Sequence, residues 1–123
     1  LEQRRTEETP RGLRIHQRVL GGMIEGKRLQ GRVYPNGGGE FGLIRPDGTT
    51  EILTRFMILA ANGEWLYAHC VGYERPDGYA RLQATFDADM QGPHAWLNES
   101  MFIATIEDEA DSQSRTLTFF EAI

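Results

Sequence analysis

The chain has 123 residues, a quarter of them charged and two-fifths apolar, with a formal net charge of −5 and Arg far outnumbering the one lysine, Lys27. That length suits one hydrophobic core and leaves no room for a second, and the apolar–charged balance excludes a disordered, collagenous or disulfide-held chain. No stretch gathers the basic residues into a stripe that would follow phosphates, so no nucleic-acid partner is expected. No run nears the roughly eighteen apolar residues of a membrane span, so no membrane partner is expected either. No charged-then-apolar leader is visible, and the expected location is cytoplasmic. Cys70, the only cysteine, cannot form an internal disulfide and is read as a small core residue.

In chain order, Leu1 to Arg11 are polar, carry Pro10 and show no periodicity, which predicts a flexible arm over residues 1–11. The non-Met start suggests a trimmed end. Residues 12–123 are then expected to form a single domain. Turn chemistry recurs at Gly21-Gly22, Asn36 to Gly39, Pro46-Asp47-Gly48, Asn62-Gly63, Pro76-Asp77-Gly78 and Asp108 to Gln113. Asn and Gly reach positive φ cheaply, so these sites reverse the chain between neighbouring strands.

The runs between the turns have strand character: Leu13 to Leu20, Ile24 to Tyr34, Phe41 to Arg45, Glu51 to Leu59, Trp65 to Tyr73, Tyr79 to Phe86, Met101 to Glu107, and Thr116 to Ala122. Gly92 to Asn98 lacks alternation and is expected to make a turn or a single helical turn over one end. About eight short strands joined by hairpins predict an all-β fold, an antiparallel up-and-down β-barrel whose closure removes exposed edges and whose interior is packed or holds one small ligand.

Period-two alternation assigns faces. In the fourth run Glu51, Leu53, Arg55, Met57 and Leu59 share one face, expected to carry charges into a mixed lumen. Ile52, Thr54, Phe56 and Ile58 form the other, expected outside as the contact surface of a homodimer. In the fifth run Trp65, Tyr67, His69 and Val71 share a face, with Tyr79, Arg81 and Gln83 brought near by the next hairpin.

These residues suggest chemistry. Glu51 and His69 are the acid–base candidates, since a carboxylate beside Arg55 or an imidazole with a pKa near neutrality can move a proton. Arg55 and Arg81 could orient a carboxylate or enolate oxygen, while Trp65, Tyr67 and Trp96 supply apolar contact. The same residues also fit structural roles, with Glu51–Arg55 as an ion pair and His69 as a hydrogen-bonded histidine. His16 and His94 rank lower. Three histidines without ligand spacing and one cysteine build no metal site. Gly37-Gly38-Gly39 precedes a strand rather than a helix, so it is a turn and not a phosphate loop. Glu107 to Asp111 lacks the alternation of a calcium loop.

A succession of motifs resembles the DUF3237 family: Glu25 to Val33, Gly37-Gly38-Gly39, Ile44 to Thr49, Glu51 to Phe56, Asn62-Gly63, Gly72, Tyr79-Ala80-Arg81, Phe86-Asp87 and Ala95 to Asn98. The resemblance implies a calycin-like or allene-oxide-cyclase-like barrel and leaves activity open, because the family is named for its unknown function and fold does not fix function. The chain departs from the family pattern at Glu51, Asp87 and Ala80. Two functions stand side by side. One is a cofactor-independent isomerase or cyclase, or a binding protein, for a small apolar or aromatic molecule in the barrel. The other is a non-catalytic ligand-binding or oligomeric structural module with a packed barrel interior.

Overall fold

Three hairpin tips share one construction in the computed structural model, which describes residues 1–2, 4–108 and 114–122. At Arg45-Pro46-Asp47-Gly48, Gly48 donates its N–H to Arg45 O (3.0 Å) and Arg45 N–H bonds Thr49 O (2.9 Å). Arg75 to Tyr79 repeats both bonds, and Ala60 to Glu64 does so around Asn62-Gly63. Each is a three-residue loop in which only the glycine takes positive φ, at 84° for Gly48, 88° for Gly63 and 90° for Gly78, a type I turn closed by a bulge. The aspartates hold these tips. Asp47 Oδ1 accepts Thr49 N–H at 2.9 Å and Asp77 Oδ1 accepts Tyr79 N–H at 3.0 Å. The hydrogen bond from Arg45 keeps the Asp47 carboxyl below its ordinary range, and the Tyr79 N–H does the same for Asp77.

Among the described residues these turns join ten strands in one antiparallel sheet: β1 (Arg5–Thr9), β2 (Gly12–Arg18), β3 (Gly22–Ile24), β4 (Gly31–Val33), β5 (Gly39–Ile44), β6 (Thr50–Ala60), β7 (Trp65–Glu74), β8 (Ala80–Asp87), β9 (Met101–Asp108) and β10 (Arg115–Ala122). The path runs β1-β2-β5-β6-β7-β8-β9-β10, with β4 between β3 and the far half of β6. The all-β, antiparallel expectation holds, but the strand count and closure do not: β1 and β10 end the path without pairing.

Two sequence features were misread. The polar stretch taken as a flexible arm holds β1, which pairs with β2 from Arg5↔His16 to Thr9↔Gly12. The run Ile24 to Tyr34, expected as one strand, breaks into the β3–β4 hairpin, and β4 then pairs Gly31↔Ala60 to Val33↔Ile58. The eleven-residue β6 is thus shared, with β5 on residues 50–55 and β4 on residues 58–60. Ala95–Glu99 forms a single 3₁₀ turn that buries Leu97, in line with the expected helical turn. The last expected turn, Asp108 to Gln113, and the acidic run to Asp111 fall mostly outside the described residues.

The faces of β6 are opposite to the expectation. Ile52, Thr54 and Ile58 are buried, Phe56 packs on the core, and Arg55 is exposed. The row proposed as a dimer surface is therefore core. The even-numbered set is the more apolar, so burying it gains more hydrophobic free energy and leaves Glu51 and Arg55 in water. β7 and β8 follow the same rule, burying Leu66, Ala68 and Cys70 on one strand and Ala80, Leu82, Ala84 and Phe86 on the next, with Ala68 opposite Phe86 and Cys70 opposite Ala84.

Small side chains let the curled sheet fill its own interior, in which Phe86 meets Phe102 edge-on at 5.3 Å and Phe119 at 5.6 Å. At one end of that interior a charge is enclosed. Arg115, the first residue of β10, reaches across to Glu40 of β5, donates from Nε to Asp108 Oδ1 at 2.7 Å and lies 3.9 Å from Glu74 at the end of β7.

Cys70 lies fully inside, and burial pushes its thiol up to about 12. At pH 8 iodoacetamide should therefore alkylate the native protein at least roughly a thousandfold more slowly than an ordinary thiol. The rate should rise to the ordinary value only as urea unfolds the chain, which mass spectrometry across a urea series will read. The folded thiol holds its proton more tightly than the unfolded one, of pKa 9.0. Its contribution to stability is thus intact below pH 9 and is lost as pH climbs from there toward 12.

Candidate functional site

Alternation sends Trp65 and Tyr67 outward, because the alternate residues Leu66 and Ala68 are buried. The two rings remain 39% and 52% exposed, and Tyr34 meets Trp65 edge-on at 4.9 Å. The β7–β8 register places Asp87 opposite Tyr67. Beyond Asp87 the chain leaves the sheet, and Asn98 clamps it there. Ala88 N–H donates to Asn98 Oδ1 at 2.7 Å, and Asn98 Nδ2 donates to Ala88 O at 3.0 Å. Asp89 Oδ1 then accepts Gln91 N–H at 2.9 Å, which turns the chain back.

The loop is latched to the opposite hairpin by Glu64 and His94. Glu64 follows the Asn62-Gly63 tip, and its N–H bonds Asn62 Oδ1 at 3.1 Å. His94 Nδ1 stands 2.7 Å from Glu64 Oε2, with the two side chains 12% and 11% exposed. The other oxygen, Glu64 Oε1, is buried with no hydrogen-bond partner. Gly92 lies against it: a Cβ there would come within 2.6 Å of Oε1, so a larger residue would push the Glu64 carboxylate aside.

Between hairpin and loop is an open cleft of about 490 Å³, lined by Gly63, Glu64, Trp65 and Tyr67 and by Asp87, Ala88 and Asp89, with Asp87 beside Tyr67 on the same face of the sheet. This volume lies in the range of small-molecule sites. Among the described residues Asp87 and Asp89 take part in no ion pair. A shallower depression of about 270 Å³ lies over β1, β2 and β5, beside the stacked rings of His16 and Phe41 at 4.7 Å.

Of the residues singled out from sequence, Trp65 and Tyr67 line the larger cleft. Glu51, Arg55, His69 and Arg81 share the outer face of β6–β8 but stand in different cross-strand rows. Arg55 is opposite His69, while Tyr73 separates Glu51 from Arg81. The hairpin was expected to bring Arg81 to the Trp65–Tyr67 end; its register instead sets Arg81 against Tyr73 and leaves Asp87 for Tyr67. Glu51 lies within 4 Å of Arg45 (3.7 Å) and Arg11 (3.9 Å), not of Arg55. Trp96 sits on the 3₁₀ turn, half-buried, 6.2 Å from the Phe102 ring and with the Arg28 guanidinium 3.7 Å above it.

Sequence reading passed over Glu64 and Asp89 and ranked His94 low. Asp87 was recoverable, since a hairpin centred on Asp77 pairs position 67 with position 87. The Glu64–His94 contact, 30 positions apart, leaves no local signal. Among the described residues no group of three or more His, Cys, Asp or Glu could hold a metal ion, and no helix is long and apolar enough to cross a membrane.

Three solved structures share this architecture. A Clostridium acetobutylicum protein with unknown function superposes with a TM-score of 0.84 at 22% identity, covering 98% of this chain and 88% of that one. A conserved protein of unknown function from Rhodopseudomonas palustris gives 0.82 at 21%, over 96% and 86%. A β-barrel-like protein from Acinetobacter baumannii gives 0.79 at 18%, over 97% and 83%. These likenesses concern the fold alone. No curated protein matches the chain. The profile of the family described as protein of unknown function (DUF3237) matches residues 2–78, more than half of the sequence, and the chain belongs to that family.

Proposed function

We propose that the protein binds a small organic molecule, and that it does so in the cleft between the β6–β7 hairpin and the 88–94 loop, not in the interior of the sheet. The observation that carries this reading is the pair of exposed rings, Trp65 and Tyr67, on the wall of an open cleft whose far side is clamped by Asn98 and latched by Glu64–His94. Exposed aromatics beside a braced cleft provide apolar contact area at little entropic cost, because aromatic side chains have few rotatable bonds and Trp65 already rests on Tyr34. The interior is a poor alternative, since small and aromatic side chains pack it.

The packed interior favours the non-catalytic member of the two functions set out from the sequence. The acid–base candidates Glu51 and His69 lie on the outer face in separate rows and neither lines the cleft, so ligand binding without turnover is the reading adopted.

Amide shifts in ¹H–¹⁵N spectra should settle the matter when the wild type is titrated with a fragment set of mixed charge. The expected shifts fall on residues 63–67 and 87–89 and disappear in both Trp65→Ala and Tyr67→Ser, each shown by its own spectrum to be folded. Shifts mapped elsewhere, or unchanged in both variants, would overturn the proposal.

A further inference from the structure

Resting on that reading, we infer that the ligand is an organic cation, a small ammonium or guanidinium compound. The cleft combines the two features that recognise such a charge. One wall presents the rings of Trp65 and Tyr67, whose faces carry the negative end of the aromatic quadrupole and attract a cation within about 6 Å. Beside these rings the cleft is lined by Asp87, the cross-strand neighbour of Tyr67, and by Asp89. Both are exposed and, among the described residues, neither is neutralised by an ion pair. Asp89 spends one oxygen on Gln91 N–H, which holds its head group in place and leaves its charge unmatched.

No described lysine or arginine lines the cleft, and several of the described basic residues are engaged elsewhere. Arg28 lies on Trp96, Arg75 and Arg81 on Tyr79, Arg45 pairs with Asp47 and Glu51, and Arg115 is enclosed with Glu40. None of these side chains lines the cleft. An anionic ligand would meet only like charge there, whereas a cation gains from the rings, from the carboxylates and from the chain's net charge of −5. A bare metal ion is a poorer match, because no three described carboxylate, imidazole or thiol groups converge. A bulky, weakly hydrated organic cation needs aromatic surface more than a full set of ligands.

The test compares choline with 3,3-dimethylbutan-1-ol, which has the same shape and no charge, by NMR titration of the full chain at about 50 mM salt. Choline is expected to bind at least about tenfold more tightly than its neutral isostere. Asp87→Asn combined with Asp89→Asn keeps the turn to Gln91 and should weaken choline about tenfold while leaving the isostere unchanged. Raising salt to about 500 mM should erode the choline advantage. Equal binding of the two compounds, or choline binding indifferent to the double substitution, overturns the cation assignment. If neutral fragments fill the cleft while choline does not, the cation class is wrong and the cleft reading stands. If no fragment of any charge shifts residues 63–67 and 87–89, the cleft reading itself falls.

Discussion

Arg115→Ala should destabilise the protein by about 3–5 kcal/mol, the cost of removing one partner from a buried ion pair and leaving the other charge behind. The side chains of Arg115 and Glu40 are only 14% and 12% exposed. On its neighbouring strands Glu40 is opposite Gln17 and Thr54, both buried, and neither carries a charge to replace Arg115. Burial alone would lower the pKa of the guanidinium, but the carboxylates of Glu40 and Asp108 more than offset this and hold it above its ordinary value. Arginine therefore stays charged at any working pH, and the pair cannot relax by giving up a proton from that side. Urea unfolding at pH 7 should read the loss as a fall in midpoint with little change in slope.

Replacing both members, Arg115→Met with Glu40→Leu, should recover most of the loss, because two apolar side chains of similar volume leave no unpaired charge. A loss below about 1 kcal/mol for Arg115→Ala would mean that water reaches Glu40 and that the cluster behaves as a surface pair. The cluster has an architectural consequence as well. Among the described strands β10 pairs with β9, and Arg115 fastens its first residue to β5, so a side-chain contact does at that end what a closed ladder would have done.

The hairpins were legible in the sequence because Asn62-Gly63, Asp47-Gly48 and Asp77-Gly78 act locally: a residue with no Cβ sits where φ must be positive, and the strands on either side follow. Strand content followed from the same local chemistry. The inside and outside of β6 did not, because both of its faces mix apolar and polar residues, and choosing between them depended on whether the interior was open. The small residues Ala68, Cys70 and Gly72 on the buried face of β7 were the available clue. A wide lumen needs no such residues, whereas a sheet folded tightly on itself does.

Contacts set by the curl of the sheet were beyond local reading altogether. Glu40 and Arg115 are 75 positions apart, and Glu64 and His94 are 30. Each pair meets only once the intervening strands have fixed the path. β1 was missed for a related reason. Arg5 to Glu8 are exposed, so the strand carries no apolar alternation and is defined by its ladder to β2.

Gly72→Ala should cost about 3 kcal/mol or more, although its backbone lies outside the positive-φ region where glycine is usually required. The reason is space. Gly72 faces Leu82 across the β7–β8 ladder, and a Cβ built on it would sit 2.0 Å from Arg81 O and 2.8 Å from Leu82 Cα. Both obstacles are backbone atoms in a continuous ladder, so no rotamer change relieves them, and the strands must part where Cys70, Leu82 and Ala84 are fully buried. Gly63 gives the opposite case. Nothing lies within 4 Å of its hypothetical Cβ, but its φ is +88°. Gly63→Ala should therefore pay only the left-handed backbone penalty of about 1–2 kcal/mol, with Gly63→Asn costing less because Asn tolerates that region. At this chain length each kcal/mol moves the melting temperature by roughly 4 °C, so calorimetry should place Gly72→Ala about 10 °C or more below the wild type and clearly below Gly63→Ala. If the two glycine variants melt together, the close approach of β8 is soft enough to yield, and the interior of the sheet is less tightly set than its packing implies.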